Sequence, residues 1–536
     1  MRHALLLPIF LLFCSAAVSG GSDFDGDGTP DYLVGSSQSD NGTLDAAGAV
    51  FAYSGRTGVL IRTFYGTQAS QLFGENVADL GDINGDGVGD LAVTSAFGSP
   101  NYVNVGIVQV LSGADGSELY FYDASGDFSG MGIAIDGPGD VNGDGVPDIL
   151  IGESRANPLG TGTLGVAYVY SGWDGTLLHE FHGPSAGSAF GAAVGGAGDV
   201  NGDGHADLVI SAMNTPSPFY TFVGTAYVYS GLDGSLLHTW SGTTFQENFG
   251  SGVDGIGDID GDGFSDVAIG AVGNDVASPN AGAVFVYSGL TGLPLLTLQG
   301  VFQDFMGRHV DGPGDCNGDG IPDILVGSFG PGGGNNWAGR AWLFSGFDGS
   351  QLLQTNGAAD GDYMGAGISG VGDLNGDGAA EVLIGSSRIS HGGLTFVGSA
   401  FLYGLEPHLH VSADRLSDAA GSVLGITIEL PAAAAGYTYR TLMSVRGRGP
   451  SSYYIDIPLT YDRFVGDSYS NIYPFSSHTG LHGVLDINGD ATASITFPAG
   501  AYSFAIGRTF YLATIAHPLG WPPEYTTGSV AITMTP

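Results

Sequence analysis

The stretch GDINGDGVGDLAVTSA, Gly81 to Ala96, sets three aspartates and an asparagine within nine residues, spaced by glycines and followed by an apolar run. The same pattern, D-x-[DN]-G-D-G-x-x-[DE], opens at Asp23, Asp82, Asp140, Asp199, Asp258, Asp315 and Asp373, at intervals of 59, 58, 59, 59, 57 and 58 residues. Oxygen side chains at positions 1, 3 and 5, a backbone carbonyl at 7 and a carboxylate at 9 can converge on one hard cation. Glycines at 4 and 6 let the backbone turn tightly enough to bring them together. Calcium suits this donor set, because it takes six to eight oxygens in flexible geometry where magnesium demands a strict octahedron.

Read this way, the first loop offers Asp23, Asp25, Asp27 and Asp31, the second Asp82, Asn84, Asp86 and Asp90, and the third Asp140, Asn142, Asp144 and Asp148. The fourth offers Asp199, Asn201, Asp203 and Asp207, and the fifth Asp258, Asp260, Asp262 and Asp266. The sixth has Asp315, Asn317, Asp319 and Asp323, and the seventh ends on glutamate, with Asp373, Asn375, Asp377 and Glu381. The plain alternative is a set of Asx and glycine turns, which these residue types favour for local hydrogen-bonding reasons. Turn chemistry alone does not ask for four oxygens at the same places seven times, and carboxylates so close repel one another. An EF-hand is a poor match, since it needs a bidentate glutamate at position 12 between helices. DINGDATAS, Asp486 to Ser494, offers Asp486, Asn488 and Asp490 but has Ala491 for the second glycine and Ser494 for the closing carboxylate. It reads as a turn.

The chain's 54 acidic residues against 13 basic give a formal net charge of −41, and 23 of the acidic residues belong to the seven loops. Seven bound Ca2+ would still leave the chain strongly acidic. Such a surface attracts neither nucleic acid nor an anionic membrane. Every basic residue is arginine, which excludes a Schiff-base lysine and a phosphate-loop lysine. MRHALLLPIFLLFCSAAVSG has the basic start, short apolar run and small-residue end of a secretory signal over residues 1–20, with cleavage expected after Ala17 or Ser19. No membrane span is expected after its removal, and the location is secreted or at the cell surface. Cys316 is then the single cysteine, so something other than an intrachain disulfide must brace the fold.

The elements that position the loops are strands. From Phe190 the unit runs FGAAVGGAGDVNGDGHADLVISAMN, a variable stretch, then GTAYVYSGLDGSLLHTW. Its segments are strand-sized, rich in Val, Ile, Tyr and Leu, and bounded by turn residues. Four strands at a fixed period are the blades of a β-propeller. The copies resemble the FG-GAP repeats of the integrin α-chain propeller, with Phe-Gly at Phe73, Phe190 and Phe249 and Met-Gly at Met131, Met306 and Met364. The resemblance covers roughly residues 21–405 and implies calcium at the blade rim.

The expectation is therefore all-β: a seven-bladed β-propeller over 21–405, followed by a small β-sandwich-like domain over 406–536. The latter resembles the β-rich domains appended to many secreted bacterial proteins, a match carried by GVLDINGDATASITFP. Seven acidic loops stand against six lead-in strands, so blade 1 is expected to lack its first strand and blade 7 its last, with a strand near His408 to Val411 covering the gap.

No catalytic residue is assigned. GPSAG, Gly183 to Gly187, matches the nucleophile-elbow pattern around Ser185, but that motif needs a strand-to-helix turn and here lies between two strands. His408 and His410 share a strand face, and His179 and His238 share an LLH segment in only two copies. The expected function is an extracellular binding or adhesion scaffold for a protein or glycan, held by up to seven Ca2+. Its partner would sit on variable loops such as GSPNYVNVG, AMNTPSPFYTFVG and SFGPGGGNNWAG. The alternatives are a polysaccharide- or phosphodiester-cleaving enzyme and a purely structural surface protein.

Overall fold

The computed structural model describes residues 17–39, 44–95, 106–124, 126, 128–157, 162–216, 222–328, 330, 337–357, 359–374, 378–387 and 399–405, together with backbone strands between 409 and 535. All regular elements among them are strands or turns. Blade 1 holds β1 (Val18–Gly20), β2 (Tyr32–Ser36), β3 (Ala49–Tyr53) and β4 (Leu60–Tyr65); blade 2 holds β5 (Phe73–Gly81), β6 (Asp90–Ser95), β7 (Ile107–Leu111) and β8 (Glu118–Asp123). Blade 3 comprises β9 (Met131–Gly139), β10 (Asp148–Glu153), β11 (Val166–Tyr170) and β12 (Leu177–His182), and blade 4 β13 (Phe190–Gly198), β14 (Asp207–Ala212), β15 (Thr225–Tyr229) and β16 (Leu236–Ser241). Blade 5 comprises β17 (Phe249–Gly257), β18 (Asp266–Ala271), β19 (Ala283–Tyr287) and β20 (Pro294–Gln299), and blade 6 β21 (His309–Gly314), β22 (Asp323–Ser328), β23 (Arg340–Phe344) and β24 (Gln351–Asn356). Blade 7 has β25 (Met364–Gly372), β26 (Glu381–Ser386) and β27 (Ser399–Tyr403).

Each blade is an antiparallel meander in chain order, so its first-to-second and third-to-fourth turns share one face of the ring and the other connections share the opposite face. The second strand of blades 2 to 7 is buried on both sides, and its near-continuous apolar run follows from that, while that of blade 1 alternates. The core lies between blades. Val108, Val110 and Ala92 of blade 2 meet Met131, Ile149 and Ile151 of blade 3. Val209 and Val228 of blade 4 likewise meet Phe249, Val267 and Ile269 of blade 5. The lead-in Phe73, Phe190 and Phe249 are fully buried at the seams of blades 1 and 2, 3 and 4, and 4 and 5.

Two expectations about closure change. Blade 1 is complete, because Val18–Gly20 pairs with Tyr32–Val34 as its innermost strand. The sequence hid this strand, since three residues after an apolar run carry no periodicity of their own. The ring closes by packing: Val18 joins Val371, Leu374 and Leu383 of blade 7. Blade 7 has three strands among the described residues, as expected. Leu409–Val411 does not complete it, because this strand pairs with Ser422–Glu429.

The C-terminal unit contains one sheet in which Ser422–Glu429 and Asp490–Phe497 run antiparallel, and a second centred on Thr438–Ser444 and Thr509–His517. Asp490 begins a strand, while Asp486 and Asn488 lie outside the described residues, as does His408; His410 lies in the Leu409–Val411 strand.

Candidate metal centres and the axial channel

All seven acidic stretches connect the first and second strands of a blade, on one face of the ring. Their shape comes from the position-1 carboxylate. Asp23 Oδ1 accepts the Gly26 N–H at 2.6 Å and its Oδ2 the Gly28 N–H at 2.8 Å. The same pair of bonds recurs from Gly85 and Gly87 to Asp82, from Gly143 and Gly145 to Asp140, and from Gly202 and Gly204 to Asp199. Gly261 and Gly263 bond Asp258 likewise, and Gly320 bonds Asp315. Gly26 and Gly28 sit at φ of 78° and 85° with open space around them, so conformation rather than room demands glycine there. Positions 3 and 5 form Asx turns in series: Asn84 accepts the Asp86 N–H and Asp86 the Val88 N–H, both at 2.9 Å.

Position 9 has a second task that its spacing did not disclose. Asp31, Asp90, Asp148, Asp207, Asp266 and Asp323 are fully buried, and Glu381 is buried too. Asp148 Oδ2 accepts the Val141 N–H at 2.8 Å, and its Oδ1 accepts the Gly172 N–H at 3.0 Å from the turn between the blade's third and fourth strands. Gly55, Gly113, Gly231, Gly289 and Gly346 make the matching bond to Asp31, Asp90, Asp207, Asp266 and Asp323. In the seventh loop Leu374 donates to Glu381 at 2.7 Å; Asn375 and Asp377 lie outside the described residues. The approach is so close that a Cβ on Gly172 would stand 1.9 Å from the Pro147 carbonyl oxygen. Burial pushes Asp31, Asp90, Asp148, Asp207 and Asp266 up to about 6, against the pull of these N–H bonds.

In loops 1 and 5 positions 1, 3 and 5 are all aspartate, and oxygens of Asp23, Asp25 and Asp27, and of Asp258, Asp260 and Asp262, lie within 4.8 Å of one another. Arg56 approaches Asp27 at 3.9 Å; no ion pair reaches the loop-5 triad among the described residues. An all-oxygen donor set with excess negative charge and a preformed backbone turn fits a hard divalent cation. Positions 1, 3 and 5 would hold it, and bound charge would relieve their mutual repulsion.

The innermost strands enclose an axial channel of about 560 Å³. Four carboxylates line it: Asp79, Asp136, Asp254 and Asp311. Three of them bridge to the following blade, with Asp136 accepting the Gly196 N–H at 2.7 Å, Asp254 the Gly312 N–H at 3.1 Å and Asp311 the Gly370 N–H at 2.7 Å. Asp79 ties blade 2 to blade 1, accepting Ser22 N–H at 2.6 Å and Ser22 O–H at 2.5 Å. Their partial exposure is to the channel itself. Burial raises all four carboxyls, Asp311 to about 7, and Asp311 and Asp136 push Asp254 further by repulsion. Sequence reading missed this set. Its signal was a carboxylate three or four residues before the loop-opening aspartate in four of the seven copies.

Ser185 lies in a loop between β12 and β13, where Ser188 N–H bonds its carbonyl at 3.1 Å, and β13 rather than a helix follows.

The family model of FG-GAP-like repeats matches residues 140–210, which span two complete acidic loops and the strands between them. This segment is similar to FG-GAP-like repeats. The chain is similar to integrin alpha-5 of Xenopus laevis, 34% identical over 227 residues, or 39% of this chain and 20% of that one. It is 30% identical to integrin alpha-V of Gallus gallus over 220 residues, 38% of this chain and 20% of the relative. Integrin alpha-2 of Bos taurus matches at 33% over 196 residues, 34% and 16% of the two chains. The chain thus spans about a fifth of the length of the curated relatives it matches. No helix among the described residues is long and apolar enough to cross a membrane.

Proposed function

We propose that this protein is a secreted or surface-exposed FG-GAP propeller that serves as a binding or adhesion scaffold, braced by Ca2+ in its acidic loops. The observation that carries the calcium reading is the clustering of Asp258, Asp260 and Asp262 oxygens within 4.8 Å on a turn already shaped by backbone N–H bonds. Integrin α-chains, to which the repeats are similar, motivate the scaffold reading. The recognised partner is an extracellular protein or glycan, met by the variable connections on the face opposite the acidic loops. Fold alone does not fix function, so the partner is argued from loop chemistry and not from the propeller. The motifs GSPNYVNVG and SFGPGGGNNWAG fall largely outside the described residues, and AMNTPSPFYTFVG in part.

The test is calcium titration into chelated protein, with heat of binding and melting temperature followed together. Several equivalents bound with a rising melt support the reading. An unchanged melt after confirmed metal removal defeats it. Saturable glycan or protein binding lost on substitution in the variable loops separates recognition from a purely structural role.

A further inference from the structure

The turn between the third and fourth strands of a blade reads SGxDG or SGxTG, and its central residue is Arg56, Ala114, Trp173, Leu232, Leu290 and Phe347 in blades 1 to 6. Arg56 and Ala114 show that the turn accepts any side chain there. Four successive blades nevertheless place a large apolar residue at this tip, with Trp173 68%, Leu232 50%, Leu290 46% and Phe347 38% exposed. Leu177, Leu236 and Leu293, at the start of the outer strands or just before them, extend the same rim and are also exposed. Isolated surface leucines need no explanation, but a run of them at one repeat position does.

Three of the four tips are held by a bond from the preceding blade. Tyr120 O–H donates to the Gly172 carbonyl at 2.9 Å, and His179 and His238 Nε2 donate to the carbonyls of Gly231 and Gly289, each at 2.6 Å. Each bond runs from the outer strand of one blade to the glycine just before the next blade's tip. This explains the LLH segments, and a tip fixed before binding loses little entropy on docking.

Arg62 lies against the blade 2 tip, bonding the Ala114 carbonyl, but beside the tips of blades 3 to 6 the charges among the described residues are acidic. Asp174, Asp233 and Asp348 follow Trp173, Leu232 and Phe347 directly, and the acidic loops occupy the same face. Bonds from Thr176 and Ser235 hold the Asp174 and Asp233 carboxyls below the usual range, so they stay ionised. Arg56, the one cation at a tip position, lies in blade 1 and pairs with Asp27. Two such faces repel each other, and an anionic bilayer is repelled as well, which leaves an occupant that is both apolar and cationic.

We propose that the Trp173–Leu232–Leu290–Phe347 arc is a second interaction surface, separate from the variable loops, that docks a cationic amphipathic segment of a partner protein. Apolar side chains of that segment cover the tips while its lysines or arginines meet the flanking aspartates. Calcium in the acidic loops lowers the negative charge of this face and so weakens the contact. This response runs opposite to that of a calcium-bridged anionic ligand, and it keeps the proposal distinguishable from the scaffold reading.

The probe is a fluorescent amphipathic helix of leucine and lysine, followed by anisotropy at an ionic strength of about 0.15 M. It is set against a scrambled peptide of the same composition and against phosphatidylserine vesicles with calcium. The variants are W173S/L232S/L290S/F347S, the milder W173A/L232A in case the first misfolds, and V276S/F302S on the opposite face. Wild type and V276S/F302S should bind the helix saturably, the arc variants at least tenfold more weakly, and added calcium should reduce binding. Equal binding by the arc variants, equal binding of the scrambled peptide, no binding by wild type, or a preference for vesicles in calcium overturns the proposal.

Discussion

Gly172 and Asp148 form one contact in which each requires the other. The glycine N–H meets a buried carboxylate while its Cα faces the Pro147 carbonyl with no room for a methyl group. Gly172→Ala is expected to destabilise the propeller by about 1–3 kcal/mol, as overpacking does, whereas Gly145→Ala, where space is open at φ 87°, should cost about 1–2 kcal/mol of left-handed strain. Denaturant titrations of the two variants compare them directly. Asp148→Asn turns an amide donor toward the N–H donors of Val141 and Gly172. The expected loss is about 1–3 kcal/mol, with calorimetric calcium stoichiometry reduced by no more than one site. A loss of several sites would mean that the loops are coupled around the ring. The spacing D-x-[DN]-G-D-G-x-x-[DE] made the donor positions legible. It could not show that position 9 also anchors a turn some 24 residues away, because that partner is a backbone N–H, which has no residue signature.

At the scale of strands, β1 decides where the propeller begins. Val18–Gly20 pairs with β2, and the Gly35 N–H bonds the Ala17 carbonyl at 2.8 Å. Cleavage after Ala17 leaves the three residues of this strand intact; cleavage after Ser19 leaves one. A chain beginning at Val18 should therefore melt several degrees above one beginning at Gly21, and N-terminal sequencing of exported protein should find Val18 first. Equal melting would show that blade 1 does not depend on β1. The strands of blades 2 to 6 were readable because each carries turn residues at both ends and β-branched or aromatic residues between. A three-residue strand offers too few positions for alternation, and only its pairing and its contact with Val371, Leu374 and Leu383 reveal it.

The whole ring responds to pH through its axis as well as through the buried position-9 carboxyls of loops 1 to 5, which are raised to about 6. Asp79, Asp136, Asp254 and Asp311 have carboxyls raised above their ordinary values, so between those values and the raised ones the folded state binds more protons than the unfolded chain. Stability from these groups is therefore present in acid and lost as pH rises toward about 7, the value for Asp311. Asp311→Asn keeps an acceptor for the Gly370 N–H and should flatten this slope. Thermal melts at fixed calcium between pH 5 and pH 8 should show the variant gaining on wild type as pH rises. Identical profiles would remove the axial carboxylates from the account. Arg308 and His309 of the sixth blade's lead-in and Glu75 of β5 are the other charged or titratable groups on these innermost segments, and burial holds the His309 imidazole neutral. On the proposed calcium reading, a chelated ring should melt lower, since binding to the folded state alone stabilises it by mass action.

The sequence by itself determined the repeat, its period, the β class, seven blades and the oxygen positions of the acidic loops. Those properties are local: side-chain periodicity, turn residues and donor spacing all act within one copy of the unit. Tertiary structure decided how the ring closes, that the closing carboxylates clamp a second turn, that four carboxylates from different blades share one channel, and that His179 and His238 brace their neighbours' turns. Each of these joins positions roughly 20 to 60 residues apart or opposite ends of the propeller. Such contacts follow from how blades pack, and no short-range pattern encodes them.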